Sequence, residues 1–184
     1  MDESSKESLI LTTMHGHIPA VDLGNGVTSV NMGQPELEWD KVPISKNIPT
    51  LELPIEGSPT ATGMGNPHCT FFVEDAEKIN LEEIGQKFEN HPLFPERTNV
   101  QFASISAPDK IRMRVWERGV GVTLASGSSS CAAVDAGIRR GLLDNKVEVA
   151  LEGGAVEVEK KVKGVWVTGP TKYVFSGSYN LIRN

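Results

Sequence analysis

Residues 128 to 140 read SSSCAAVDAGIRR, a helix-length run in which Ala132, Ala133, Ala136 and Gly137 make one face entirely of small side chains. Small residues let other backbone approach closely, so this helix is expected inside a curved sheet rather than on a surface. It should start near Ser128 and run to about Arg140, with Gly141 as the residue that leaves it. Most of the remaining chain is short apolar segments punctuated by Gly and Pro, the pattern of many strands and few helices.

SLILTTM (8–14) and VTSVNM (27–32) read as strands, and Gly24-Asn25-Gly26 supplies a tight turn that makes them a hairpin or adjacent strands. Pro35, Pro43, Pro49, Pro54 and Pro59 forbid a helix over 33–63 and limit any strand there to short or edge pieces. That stretch is expected to form extended connections leading between domains. HCTFFV (68–73) reads as a buried strand. A helix follows, capped by Asn80 with Glu83 as capping-box partner, carrying Leu81, Ile84 and Phe88 on one face and stopped by Pro92. TNVQFASIS (98–106) and IRMRVWE (111–117) are two strands around a turn at residues 107–110. In the second, Ile111, Met113 and Val115 oppose Arg112, Arg114 and Trp116. KVEVALEGGAVEVE predicts a hairpin turning at Gly153-Gly154, with VWV and KYVFSG as closing strands.

A chain of 184 residues can bury a real core. Its net charge of −6, with no block of Lys or Arg, gives no electrostatic footprint for nucleic acid and no polybasic membrane patch. MDESSKESLI lacks the features of a signal peptide, and no apolar run is long enough to span a membrane, so a cytoplasmic protein is expected. Cys69 and Cys131 are expected as free thiols. His15, His17 and the His68-Cys69 pair lack any accompanying metal-ligand spacing, and no metal site is assigned.

The start of the small-residue helix offers free N–H groups, the positive end of the helix dipole and the hydroxyls of Ser128, Ser129 and Ser130. Two readings stand: the serines cap the helix, or the helix end holds a carboxylate or phosphate. Asn66 and His68 lie in a Gly/Pro-shaped turn before a strand, and Asn99 lies at another strand start; each alone also fits a structural turn.

GNPH (65–68), HPLFPERTNV (91–100), RVWERG (114–119), TLA (123–125) and VTGP (167–170) together, in this order, resemble the diaminopimelate epimerase family over nearly the whole chain from about residue 8. The resemblance implies an α+β fold of two pseudo-symmetric domains, each a curved mixed sheet around a central helix, with the active site between them. It implies cofactor-independent interconversion of LL- and meso-diaminopimelate in lysine and peptidoglycan biosynthesis, and a homodimer. By the same resemblance, residues 1–62 are a remnant of the N-terminal domain, 63–168 are the C-terminal domain, and 169–184 are a closing strand returning to the first.

Inverting an α-carbon requires one group to remove a proton and another to deliver one to the opposite face, and the family uses two cysteines. Carried over by resemblance, Asn66, Asn99, Glu117 and Arg118 bind substrate, Glu117 and His68 serve the catalytic centre, and Gly127 and Ser128 receive the α-carboxylate. The family's second catalytic cysteine falls at Ser126, a far weaker acid than a thiol. Cys131 matches a non-catalytic cysteine, Val122 stands where the family usually has Glu, and the Cys-Gly-Asn-Gly motif of the other catalytic cysteine has no counterpart. Three readings follow: an epimerase-family chain with little or no activity alone, a noncatalytic amino-acid-binding or regulatory domain, or a related racemase or isomerase with another substrate.

Overall fold

A computed structural model describes residues 7–13 and 16–178. Strands β1 (Glu7–Thr13), β2 (Gly16–Gly24) and β3 (Val27–Asn31) form an antiparallel meander. Gly24, Asn25 and Gly26 turn β2 into β3 with φ of 79°, 53° and 71°, a region that Gly and Asn enter most readily. The expected hairpin is therefore β2–β3, and β1 neighbours β2 rather than β3. Pro19 hides β2 in the sequence, since proline is excluded from most paired strand positions. β3 pairs with β2 only from Ala20 onward, which leaves Pro19 at a margin with one neighbouring strand. Met14 and His15 lie outside the described residues.

The chain continues through β4 (Thr60–Gly63), β5 (Pro67–Phe72), α1 (Leu81–Glu89), β6 (Asn99–Ala107), β7 (Lys110–Glu117) and β8 (Gly121–Thr123). It then forms α2 (Gly127–Arg139), β9 (Lys146–Leu151), β10 (Gly154–Lys161) and β11 (Gly164–Pro170). One sheet runs β1-β2-β3-β11-β10-β9-β7-β6-β5-β4, with β8 on β7. The β5–β6 and β7–β9 pairs are parallel and the others antiparallel, so the sheet is mixed as expected.

The small-residue helix fixes the curvature. α2 touches β11 and β10 as well as β6, β5 and β4. In a flat sheet β11 and β4, six strand spacings apart, would be separated by roughly 29 Å, far more than the ~10–12 Å width of a helix. Contact with both is possible only because the sheet curls around α2, and every residue from Ser129 to Gly137 is buried. Ile111, Met113, Val115, Val147, Val149, Val158 and Val165 face α2 and form the inner core.

The opposite face of β4–β7 carries a second core, in which Phe71 stacks on Phe102 at 4.8 Å and meets Phe88 of α1 at 4.5 Å. Val42, Ile44 and Leu53 belong to it and are at most 2% exposed. The proline-rich stretch is thus a cover folded onto the sheet, not a set of extended connections. Prolines keep it non-helical, while its apolar residues still gain by leaving water. Its strand, β4, lies at the sheet edge as predicted.

Three local expectations are corrected. Asn80 Nδ2 donates to Glu83 Oε2 at 3.2 Å and Asn80 makes no side-chain cap, so the two partners of the expected capping box satisfy each other rather than the helix backbone. The β9–β10 turn is Glu152-Gly153, because Gly154 already pairs with Leu151. Residues 171–178 form no strand: β11 fills the place between β10 and β3, leaving no vacancy there for KYVFSG, and Tyr173, Val174 and Phe175 are exposed. Residues 179–184 of the expected closing segment lie outside the described residues.

Candidate active site

The parallel pairing of β5 with β6 sets His68 opposite Asn99. Both are buried, and a hydrogen-bonded chain grows from them. Gln101 accepts from His68 Nδ1–H at 2.7 Å while its NH2 donates to the carbonyls of Cys69 at 2.8 Å and Asn99 at 3.3 Å. Asn66 meets His68 Nε2 at 2.8 Å. Ser129, in the first turn of α2, approaches Nδ1 at the longer distance of 3.5 Å. Asn99 Nδ2 donates to the Pro67 carbonyl at 2.9 Å, and its Oδ1 accepts the Arg118 backbone N–H at 3.0 Å. Asn99 thereby ties the GNPH turn to the turn after β7.

His68 is fully buried, and this desolvation, with the Arg118 charge adding to it, pushes the ring's pKa down to about 3. The ring is neutral at physiological pH and carries one N–H. With that proton on Nδ1, Nε2 is an acceptor, so it is the NH2 of the Asn66 amide that must face the ring for the 2.8 Å contact to be a hydrogen bond. His68 thus lies behind the surface, as a brace for Asn66.

Asn66 and Arg118 line an open cleft of about 690 Å³ together with Thr13, His17, Pro19 and Asn31. This volume suits a small organic ligand. Glu117 is half-buried at the end of β7, and its carboxylate makes no hydrogen bond or ion pair among the described residues. The structure therefore brings Asn66, His68, Asn99, Arg118 and Ser129 into one network. Ser126, Gly127 and Ser128 adjoin it at the start of α2 but do not line the cleft.

Ser126 is extended (φ −152°, ψ 118°) and its side chain makes no cap hydrogen bond. The N–H groups of Gly127, Ser128 and Ser129 meet no protein acceptor among the described residues, and no acidic side chain occupies the first turn. The capping reading of the serines is not what the structure contains. Nor do all three hydroxyls face outward: Ser130 Oγ donates to the Ser126 carbonyl at 2.8 Å and Ser129 is buried toward His68. α2 is surrounded from Ser129 to Gly137, so of the serines at its start only Ser126 and Ser128 keep partial exposure. Such a helix start favours an anion.

Neither cysteine is near this surface. Cys131 lies in the inner core and Cys69 in the outer one. Burial, with the Asp135 charge adding to it, pushes the Cys131 thiol up to about 12, and burial raises Cys69 further still. In the folded protein at pH 8, iodoacetamide is expected to label neither, whereas a Ser126→Cys variant gains one label per chain by mass spectrometry. Labelling of the wild-type protein, or none of the variant, would contradict this placement.

A residue that the sequence did not single out organises the turn bearing Arg118. Glu89, at the end of α1 with its side chain 6% exposed, accepts from the Trp116 indole at 2.6 Å, the Gly119 N–H at 2.8 Å and Arg97 at 3.0 Å. The signal was its place on the buried arc of α1, next to Phe88 and one turn after Gly85. A carboxylate there requires buried donors. Gly85 in turn seats the indole, since a β-carbon on it would lie 2.5–2.8 Å from three Trp116 ring atoms.

No group of three or more His, Cys, Asp or Glu side chains among the described residues is arranged to hold a metal. No described helix is long and apolar enough to cross a membrane.

The arrangement of sheet and central helix is shared with solved amino-acid racemases and epimerases. A hydroxyproline epimerase from Agrobacterium vitis matches with a TM-score of 0.62 at 14% identity, over 92% of this chain and 58% of its own. A probable proline racemase from Agrobacterium radiobacter K84 has the same score and identity, over 92% and 59%. At that identity the likeness defines the fold alone. The sequence is more specific: the pattern of the family described as Diaminopimelate epimerase matches residues 60–174. The diaminopimelate epimerase of Acidiphilium cryptum is 43% identical over 181 residues, 95% of this chain and 65% of the relative. That of Microcystis aeruginosa is 44% identical over 172 residues, 88% and 61%. This chain belongs to the diaminopimelate epimerase family and spans about two thirds of the length of these curated relatives.

Proposed function

We propose that this chain carries the substrate-holding part of a diaminopimelate epimerase and, by itself, little or none of its proton chemistry. Residues 63–168 form a C-terminal epimerase domain, residues 33–62 join it through the outer core they share with β4–β7, and β1–β3 with the closing segment form part of its pseudo-symmetric partner. In this reading Arg118, Glu117, Asn66 and Asn99 engage the charged and polar groups of diaminopimelate. The α2 start at Gly127 and Ser128 receives its α-carboxylate. No cofactor is required.

The observation that carries the proposal is the separation of thiols from the site. A two-base inversion needs two groups that exchange protons with opposite faces of the α-carbon. Both thiols here are sealed in separate cores and held protonated, and a hydroxyl stands at Ser126. Without an adjacent base that hydroxyl stays neutral at physiological pH. His68 is no such base for Ser126, being buried behind Asn66 and bonded at both ring nitrogens.

The test uses the purified 184-residue protein with LL-diaminopimelate in D2O. The expected result is no loss of the α-proton NMR signal beyond a protein-free control, together with heat of binding in a calorimetric titration that disappears in Arg118→Ala. Deuterium incorporation with formation of the meso isomer would overturn the inactivity. Absence of binding heat would overturn the substrate-holding role. Tight binding without turnover also supports the noncatalytic amino-acid-binding reading, which the open cleft beside Arg118 favours over a different racemase chemistry.

A further inference from the structure

We infer that Glu89 is the positioning residue of the site, fixing the turn that presents Arg118 to the cleft; its bearing on affinity rests on the substrate-holding role proposed above. Residues 117–121 leave β7, place Arg118 at the cleft and return as β8. Two side chains from different elements hold this turn. Asn99 of β6 accepts the Arg118 N–H. Glu89 of α1 grips both flanks, taking the Trp116 indole on Oε2 and the Gly119 N–H on Oε1.

The chemistry of the grip calls for a carboxylate. Three donors converge on Glu89, all three from nitrogen, and two share Oε1. An ionised carboxylate is acceptor-only, so both its oxygens can face donors, and such charge-assisted bonds are roughly twice as strong as neutral ones. A glutamine of the same shape would turn an NH2 toward the indole or toward the Gly119–Arg97 pair. Arg97 supplies the counter-charge from a half-exposed position, so the buried carboxylate is paired without the turn itself having to be charged. Arg118 is left free of the pairing: among the described residues its guanidinium bonds only the Glu96 carbonyl, at 3.1 Å. The turn's anchoring charge and its ligand-facing charge are thus separate.

The test is Glu89→Gln in the full chain, read by 15N–1H NMR and calorimetry with meso-diaminopimelate. The Trp116 indole and Gly119 amide resonances are expected to move upfield and the Gly119 amide to lose exchange protection. Affinity should fall roughly ten- to hundred-fold, the loss of one charge-assisted hydrogen bond. Trp116→Phe, which removes one donor and keeps a ring against Gly85, should leave Gly119 protected and weaken binding less; it keeps the test open if the first variant fails to fold. Unmoved Gly119 and indole signals in folded Glu89→Gln, or a Gly119 amide unprotected in the wild type, overturn the inference whatever the ligand does. The NMR effects in Glu89→Gln, with a wild-type protein that binds no diaminopimelate, uphold Glu89 as the brace of the turn and overturn the substrate assignment instead.

Discussion

Below pH 6.5 the protein is expected to lose about 1.4 kcal/mol of folding stability per pH unit through His68 alone. In the unfolded chain this ring takes up a proton near its ordinary value of 6.5, whereas in the folded protein burial and Arg118 hold it neutral down to about 3. Across that window the unfolded state binds more protons than the folded one, so stability falls as pH falls and levels off only below the folded value. The full loss, on the order of 4–5 kcal/mol, is a large share of the ~5–15 kcal/mol that holds a typical domain together. Urea unfolding at intervals from pH 7 to 4.5 measures the slope. His91, whose ring is also pushed down by partial burial and by Lys87, contributes with the same sign, so the His68→Gln variant is the reference. Subtracting its profile leaves the His68 part. Parallel profiles for the two proteins would mean that the ring is protonated in place, and that Asn66 is not braced by a neutral imidazole.

How far the site was legible follows from what each residue needs in order to act. The curved sheet could be read from Ala132, Ala133, Ala136 and Gly137, because small side chains on a helix face have one use in packing. Alternation in 111–117 revealed β7, whose Ile111, Met113 and Val115 are at most 1% exposed. β2 was hidden by Pro19, and the packing of residues 33–59 by the same prolines that correctly excluded a helix. Asn66, His68, Asn99 and Arg118 were each recognisable by motif. Their union depends on a parallel β5–β6 register, and no local pattern specifies which strands pair in parallel. Glu89 and Asp135 were invisible for a related reason. Asp135 is neutralised by Lys160, 25 residues along the chain, and Glu89 meets the Trp116 indole, 27 residues along, as well as Arg97, so composition shows the charges but not what receives them. Ser129 and Ser130 were read as outward-facing because the extent of the sheet's wrap around α2 is a tertiary quantity.

Lys160→Met is expected to lower the unfolding free energy by about 3–5 kcal/mol, the cost of leaving a buried carboxylate without its partner. Asp135 is fully buried in the middle of α2, and Lys160 of β10 donates to its Oδ1 at 2.6 Å. Arg139 comes no nearer than 4.0 Å to Oδ2, which makes no hydrogen bond. Its guanidinium is occupied elsewhere, by the Ala61 carbonyl at 3.0 Å and Thr50 Oγ1 at 2.8 Å. Arg139 therefore cannot take over when Lys160 is removed, and for a chain of this size the melting temperature should drop by roughly 10 °C. Asp135→Asn/Lys160→Met together should recover to within about 2 kcal/mol of the parent, since removing both charges also removes the desolvation penalty. A single Lys160→Met within about 1 kcal/mol of wild type would show that the carboxylate finds water or another donor in the folded state. The pair matters for the site because these contacts tie α2 to β10 on one side and β4 on the other. A helix of small residues has few large side chains to lock its rotation, and it is this rotation that turns Ser129 toward His68 and leaves Ser126 and the open N–H groups at the helix start partly exposed.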